Sequence, residues 1–240
     1  MDLTGAFGEF GIWFVVFLFT LTVHEAAHAL VAHLGGDDTA YRGGQVSLNP
    51  VPHIRREPIG TVLVPIVTFF TSGWMMGWAS APYDPLWGDR HPRRLAAMSA
   101  AGPAANLLLA LLAFVVIKVC LAAGAFAAPD TVNSGGRLVA AAPGVGDGSI
   151  LHSLAFFLSV LVNLNLLLFL FNLIPLPPLD GAGVVQGLLP GTAGKLLRPF
   201  ATNPALSLMG LFVAWRVFKM IHEPAFAWLL KALYPEIEYT

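Results

Sequence analysis

The sequence predicts an all-α polytopic membrane protein, with about four to six transmembrane helices and a small membrane-associated β segment after the first helix. Three observations carry this. Of the 240 residues, 56% are hydrophobic and only 11% are charged, against roughly 25% charged in soluble domains. Several runs approach or exceed the about 18 apolar residues that span hydrocarbon. Between the first two runs lies a polar stretch with short alternating pieces, the pattern of strand and turn. The formal net charge of −1, with no run of lysine or arginine, excludes a nucleic-acid partner. No internal repeat, low-complexity tract or long polar segment divides the chain, so residues 1–240 are expected to form one domain. Cys120 is the single cysteine and lies in an apolar run, which leaves no internal disulfide.

Met1 to Phe10 carries Asp2 and Glu9 and no basic residue, unlike the start of a signal peptide, so this stretch is expected to be retained. Gly11 to Leu34 is the first span; its second half holds Thr20, Thr22, His24, Glu25, His28 and His33, and it ends at Gly35-Gly36. Asp37 to Pro58 is polar, and the alternation around Gly44 to Leu48 predicts the small sheet. Gly60 to Ala79 is apolar but broken by Pro65 and by Thr71-Ser72-Gly73, so it either spans or dips in and returns. Leu95 to Ala128 contains a clear span whose small residues, Ala100 to Ala105, suit close helix contact. After a Gly-, Pro- and Asp-rich loop, Ile150 to Ile174 is the next span and runs into the proline-rich Asn172 to Gly181, where the backbone must be irregular. Pro204 to Ile221 is a weaker last span, and Pro224 to Tyr234 suits an interfacial helix.

Chemistry enters with His24-Glu25-Ala26-Ala27-His28, an H-E-x-x-H motif. On a helix its histidines lie one turn apart on one face, where both imidazoles reach one zinc. Glu25 stands beside them, placed to take a proton from water whose pKa the metal lowers. Two histidines and a glutamate at hydrocarbon depth are costly unless they hold a metal, line a wet cavity or hydrogen-bond between helices. A catalytic zinc takes three protein ligands and keeps one position open. His33 is turned off the ligand face by its spacing from His28, and Asp37 and Asp38 fall at the membrane interface. Asp180 is the better third ligand, an acidic residue after a long apolar span in a proline-broken segment; Asp180-Gly181 equally suits a turn.

With these residues in view, the chain resembles the site-2 protease family of intramembrane zinc metalloproteases. The resemblance rests on His24 to His28, on Leu48-Asn49-Pro50 with His53 and Gly60-Thr61, on Gly77-Trp78-Ala79, on Ala101 to Asn106, and on Asn172 to Gly181. It implies one Zn2+ per chain held by His24, His28 and Asp180, with Glu25 as base, the same four residues that the reading by residue type names. Ala182 stands where many members have a second glycine, and Arg55-Arg56 where many carry an acidic residue; neither removes a ligand. No PDZ or CBS domain fits in the chain, so it looks like a minimal member, expected in a prokaryotic inner membrane.

The expected function is zinc-dependent endopeptidase cleavage within or near the transmembrane segment of a single-span membrane-protein substrate, in contact with the lipid bilayer; whether two copies form a homodimer is open. Asn106, Asn172 and His53 are candidates for substrate binding or for support of the ligands, against a purely structural role. The Tyr41 to Leu48 segment is the expected strand edge for an unwound substrate. A metal-handling transporter would also place acids and broken helices at depth, but explains Glu25 less well. Asp180 can join the histidines only if the first span and the Ile150 span run in the same direction. Residues 60–79 should then enter and leave on one side, which puts Arg42, Arg55, Arg56, Arg90, Arg93 and Arg94 together.

Overall fold

The computed structural model describes residues 3–132, 137–146, 149–237 and 239. Helix α1 spans Leu3–Leu34 and is followed by the short α2, Thr39–Arg42, and α3, Pro50–Arg56. A π-helical turn, Ile59–Leu63, runs into α4, Val64–Ser72. Then come α5, Pro85–Arg90, and the long α6, Pro92–Ala122. Strands β1, Phe126–Ala127, and β2, Ala140–Ala141, precede α7, Ile150–Asn172, and the chain closes with α8, Asp180–Leu188, α9, Ala193–Thr202, and α10, Pro204–Leu233. Among the described residues four helices are long and apolar enough to cross a membrane: α1 from Phe7, α6, α7 and α10. With this composition they make the chain an integral membrane protein.

Helix starts follow from local chemistry. Asn49, Asp84, Ser149 and Asn203 each accept a hydrogen bond from a backbone N–H in the first turn of α3, α5, α7 and α10, and proline opens α3, α5, α6 and α10, where the missing donor costs nothing. Helices α1, α6 and α7 form the centre. Trp13, Val16 and Phe17 of α1 pack with Ala113 and Ile117 of α6 and Phe156, Val160 and Leu164 of α7. Several polar groups at depth are paired across elements. Ser159 accepts from the Leu138 and Val139 amides, and Lys118 donates to the Ala232 and Leu233 carbonyls, where a cation suits a helix C-terminus.

Residues 60–79 form a re-entrant hairpin rather than a span. Helix α4 runs back along α1 until Phe69 and Phe70 meet Phe10 and Phe7. Gly73, at φ +72°, ends it in the left-handed conformation that only glycine adopts without strain. The chain then returns extended, with the Trp78 amide donating to the Gly60 carbonyl at 3.1 Å. The fit is close enough that a Cβ on Gly77 would meet the Gly60 carbonyl oxygen. At the mouth, Ser80 donates to Glu57 and accepts from Arg56 through its hydroxyl, and its carbonyl accepts from Gln45. Entry and exit are therefore neighbours on one side, as the direction of α1 and α7 requires.

The sheet lies elsewhere than the alternation of residues 44–48 suggests. Tyr41 and Arg42 finish α2, and the Gly44 and Gln45 amides donate to Tyr41 and Ala40 carbonyls. Gly44, at φ +74°, reverses the chain, so local turns consume the backbone groups a strand would need. Residues 41–48 thus hold no strand. The one sheet among the described residues is the antiparallel pair Phe126 with Ala141 and Ala127 with Ala140, in the loop after α6.

The end of α1 is tied to this same side. Trp87 and Arg94 both donate to the Gly35 carbonyl, and Asp37 accepts from the Asp84 amide at 2.8 Å and from Thr39. Burial alone would raise the Asp37 pKa, but these donors hold it below the usual carboxylate value. Its contribution to stability is therefore full at neutral pH and lost as pH falls through that lowered value. In a Cys120→Ala background, cysteines at the exposed Arg55 and Arg90 are expected to react with an impermeant thiol reagent from the same face of sealed vesicles. Reaction from opposite faces would refute the re-entrant hairpin.

Candidate metal centre

Helix α1 presents His24 and His28 one turn apart, both 6% exposed or less. Their Nε2 atoms lie 3.0 Å from each other. Asp180, the first residue of α8, brings Oδ2 to 3.2 Å from His24 Nε2 and Oδ1 to 3.3 Å from His28 Nε2. Sequence position delivers Asp180 here by two devices. The proline-rich turn after α7 folds so tightly that a Cβ on Gly181 would meet the Leu173 carbonyl oxygen. Gly183 and Gly187, one turn apart on α8, then let that helix lie against Ser99, Ala96 and the Pro92 carbonyl of α6. Ala182 faces away from the site, buried against Leu197 and Val185.

The second nitrogen of each ring is engaged. His24 Nδ1 is 2.6 Å from the Asn106 carbonyl oxygen Oδ1, and His28 Nδ1 is 2.8 Å from the Met98 backbone carbonyl. An oxygen of either kind accepts, so both Nδ1 atoms carry a proton, and Nε2 is the nitrogen that each ring turns toward Asp180. Two imidazole Nε2 atoms and a carboxylate thus converge in a buried space. Asp180 Oδ2 is buried with no hydrogen-bond partner. A cation is what such a set of acceptors fits, and separations of 3.0 to 3.3 Å are close to the about 3.4 Å edge of a tetrahedron with zinc bonds of about 2.1 Å.

Gly102 of α6 makes the space. A Cβ there would meet His28 Nε2 and would lie 2.6 Å from His24 Nε2, inside the ring of donors. Sequence reading assigns this glycine to helix packing; its contact with the two imidazoles is visible only once α6 is placed. Glu25 is buried beside the histidines and makes no ion pair with a described residue.

The remaining candidates separate. Asn106 touches His24 directly. His53, in α3, is buried and donates from Nε2 to the Ser47 carbonyl at 3.2 Å, so it braces the loop before α3 and does not reach the three acceptors. Asn172 ends α7, half-buried, and makes no hydrogen bond to the cluster. His33 pairs with Asp38 at 2.7 Å and stacks on Tyr41, away from the site. Asn165 and Thr20, which the sequence reading does not single out as site residues, stand behind Asn106: Asn106 Nδ2 donates to Asn165 Oδ1 at 2.9 Å, and Asn165 Nδ2 donates to Thr20 Oγ1 at 3.0 Å. Replacing Gly102 by alanine is expected to lower bound metal in the purified chain by at least about tenfold, since the methyl competes with the ion for its position; stoichiometric metal in that variant, measured by elemental analysis, would show that the three acceptors are not the site.

Comparison with known proteins adds an independent finding. The model of peptidase family M50 matches residues 12–215, which include all three acceptors and Glu25. A protein of Bacillus subtilis (strain 168), named "Putative zinc metalloprotease YwhC", is 34% identical over 186 residues, covering 77% of this chain and 72% of that protein. No solved structure matches the chain. On this match, and on a fold with four candidate spans, the chain belongs to peptidase family M50, the site-2 protease family of metalloproteases.

Proposed function

We propose that this protein is a zinc-dependent intramembrane endopeptidase that cleaves a single-span membrane protein within or near its transmembrane segment. The observation that carries the reading is the convergence of His24 Nε2, His28 Nε2 and an Asp180 oxygen within 4.8 Å of one another, on or beside helices long enough to span a bilayer. One zinc per chain fits three ligands and one open position. The six exposed arginines on the side where residues 60–79 enter and leave, Arg42, Arg55, Arg56, Arg90, Arg93 and Arg94, favour the cytoplasmic face for that side. With a bacterial relative, this supports a prokaryotic inner membrane.

When bound, zinc supplies a Lewis acid that polarises the scissile carbonyl and makes water acidic near neutral pH. The chain's own groups do the rest. His24 and His28 point their Nδ1 protons at Asn106 and Met98, which turns both Nε2 atoms toward the position a metal would take. Asp180 supplies the negative charge. Glu25 takes the proton of the attacking water and returns it to the departing amine nitrogen, the role for which its burial next to the ligands and its lack of an ion-pair partner suit it. The substrate helix must first unwind, because its carbonyls are hydrogen-bonded until it does.

In liposomes holding a panel of single-span substrates, Glu25→Gln is expected to keep about one zinc per chain while cleavage falls at least about 100-fold. Removing metal with a chelator should abolish cleavage in the native chain and adding zinc should restore it. Cleavage that survives Glu25→Gln would remove the base from the mechanism.

A further inference from the structure

The hydrogen bonds behind His24 have a direction, and it is set at their far end. Asn165 Nδ2 lies 2.8 Å from the backbone carbonyl of Leu161, one turn earlier on α7. A carbonyl oxygen only accepts, so the amide of Asn165 must turn its nitrogen there and its oxygen toward Asn106. Asn106 must then offer its own nitrogen to Asn165, which leaves Oδ1 facing His24. His24 can answer only with a protonated Nδ1, and its Nε2 is the nitrogen that faces Asp180. Thr20 cannot set this order, because a hydroxyl accepts from Asn165 as readily as it donates. All four side chains are buried, with Thr20, Asn106 and Asn165 at 0% exposure, so bulk solvent does not reach them.

We propose that Asn165 is a positioning residue for the metal centre, fixing through Asn106 which nitrogen of His24 carries the proton, with the Leu161 carbonyl as the reference. The proposal rests on the reading of His24, His28 and Asp180 as zinc ligands. His28 needs no such chain, because Met98 gives it a backbone carbonyl directly. Both ligand tautomers are thus referred to the backbone, one in a single step and the other through two amides. An amide can turn over, and Asn106 alone would present either its oxygen or its nitrogen to the ring; Asn165 removes that freedom.

The test uses the whole chain in detergent and reads zinc affinity by competition with a chromophoric chelator. Asn165→Leu is expected to lower affinity roughly 10- to 100-fold, the usual cost of losing a group that orients a ligand. In an Asn106→Asp background the atom facing His24 is an acceptor whichever way the side chain turns, so adding Asn165→Leu there is expected to change affinity by no more than about twofold. A role in packing alone would give the same loss in both backgrounds, and that outcome would overturn the proposal, as would equal affinity in native and Asn165→Leu chains. If Asn165→Leu does not fold, Asn165→Ala enters the same cycle. Ring nitrogen shifts of 15N-histidine in metal-free chains give a second readout: one tautomer at His24 in the native chain and a mixture in the variant support the proposal, and a mixture in the native chain sinks it. A native chain that binds no zinc would overturn the zinc reading, while the ring shifts would still decide the role of Asn165.

Discussion

Three metal-ligating groups face one another inside a membrane protein: two imidazole nitrogens and a carboxylate, separated by 3.0 to 3.3 Å. In a low-dielectric interior such a set repels itself unless a cation joins it. Most of the architecture around it can be traced to that constraint. Helix α1 must supply two rings one turn apart, α7 must return in the same direction to deliver Asp180, and the crossings between them must be odd in number; among the described residues there is one, α6. The apolar stretch of residues 60–79 is therefore folded back as a hairpin, since a second crossing there would send Asp180 to the opposite end of α1.

What holds these helices together is not the force that holds a soluble core. Lipid chains are as apolar as leucine, so association relies on close packing and on interhelical hydrogen bonds. Glycines mark the places of closest approach: Gly183 and Gly187 seat α8 against α6, Gly60 and Gly77 close the hairpin, and Gly102 leaves the ion its room. Leu108, Leu111, Val115 and Val119 stand exposed on α6, as lipid-facing residues do. The buried polar residues Thr20, His24, His28, Asn106 and Asn165, by contrast, meet at one level of α1, α6 and α7.

The part of the site that is local in sequence could be read from it. H-E-x-x-H sets its own geometry through helix periodicity, and Asp180 is conspicuous as an acid in an apolar, proline-broken segment. What could not be read depends on which helices meet. Asn165 is 59 residues from Asn106 and 145 from Thr20, and nothing in either neighbourhood signals a partner at that distance. Gly102 reads as packing from its small neighbours and gains its second meaning only when two imidazoles are placed against it. The alternation of residues 44–48 misleads because Gly43-Gly44 favours a turn over pairing, while the real strand pair is two residues long and sits in a loop whose composition signals only turns. His53 belongs to the motifs that the sequence reading assembles, and the fold places its Nε2 on the Ser47 carbonyl of its own loop.

The amide at Asn106 can be weighed against the carboxylate that often holds a metal-binding histidine. Glu25 and Asp180 already bring two acids to this region, and a third at hydrocarbon depth would add a desolvation cost of about 2.5–3.5 kcal/mol on the insertion scale. An amide oxygen accepts from the ring without a charge, but unlike a carboxylate it has a wrong way round. Interhelical hydrogen bonds in membranes average about 0.6 kcal/mol each, so the two that Asn165 makes to other helices contribute about 1 kcal/mol to stability. A tenfold gain in metal affinity is about 1.4 kcal/mol, which is the larger effect even at the low end. The chain from Leu161 to His24 is therefore explained less by the helices it joins than by the need to orient a neutral amide where a charged, self-orienting group would be too costly.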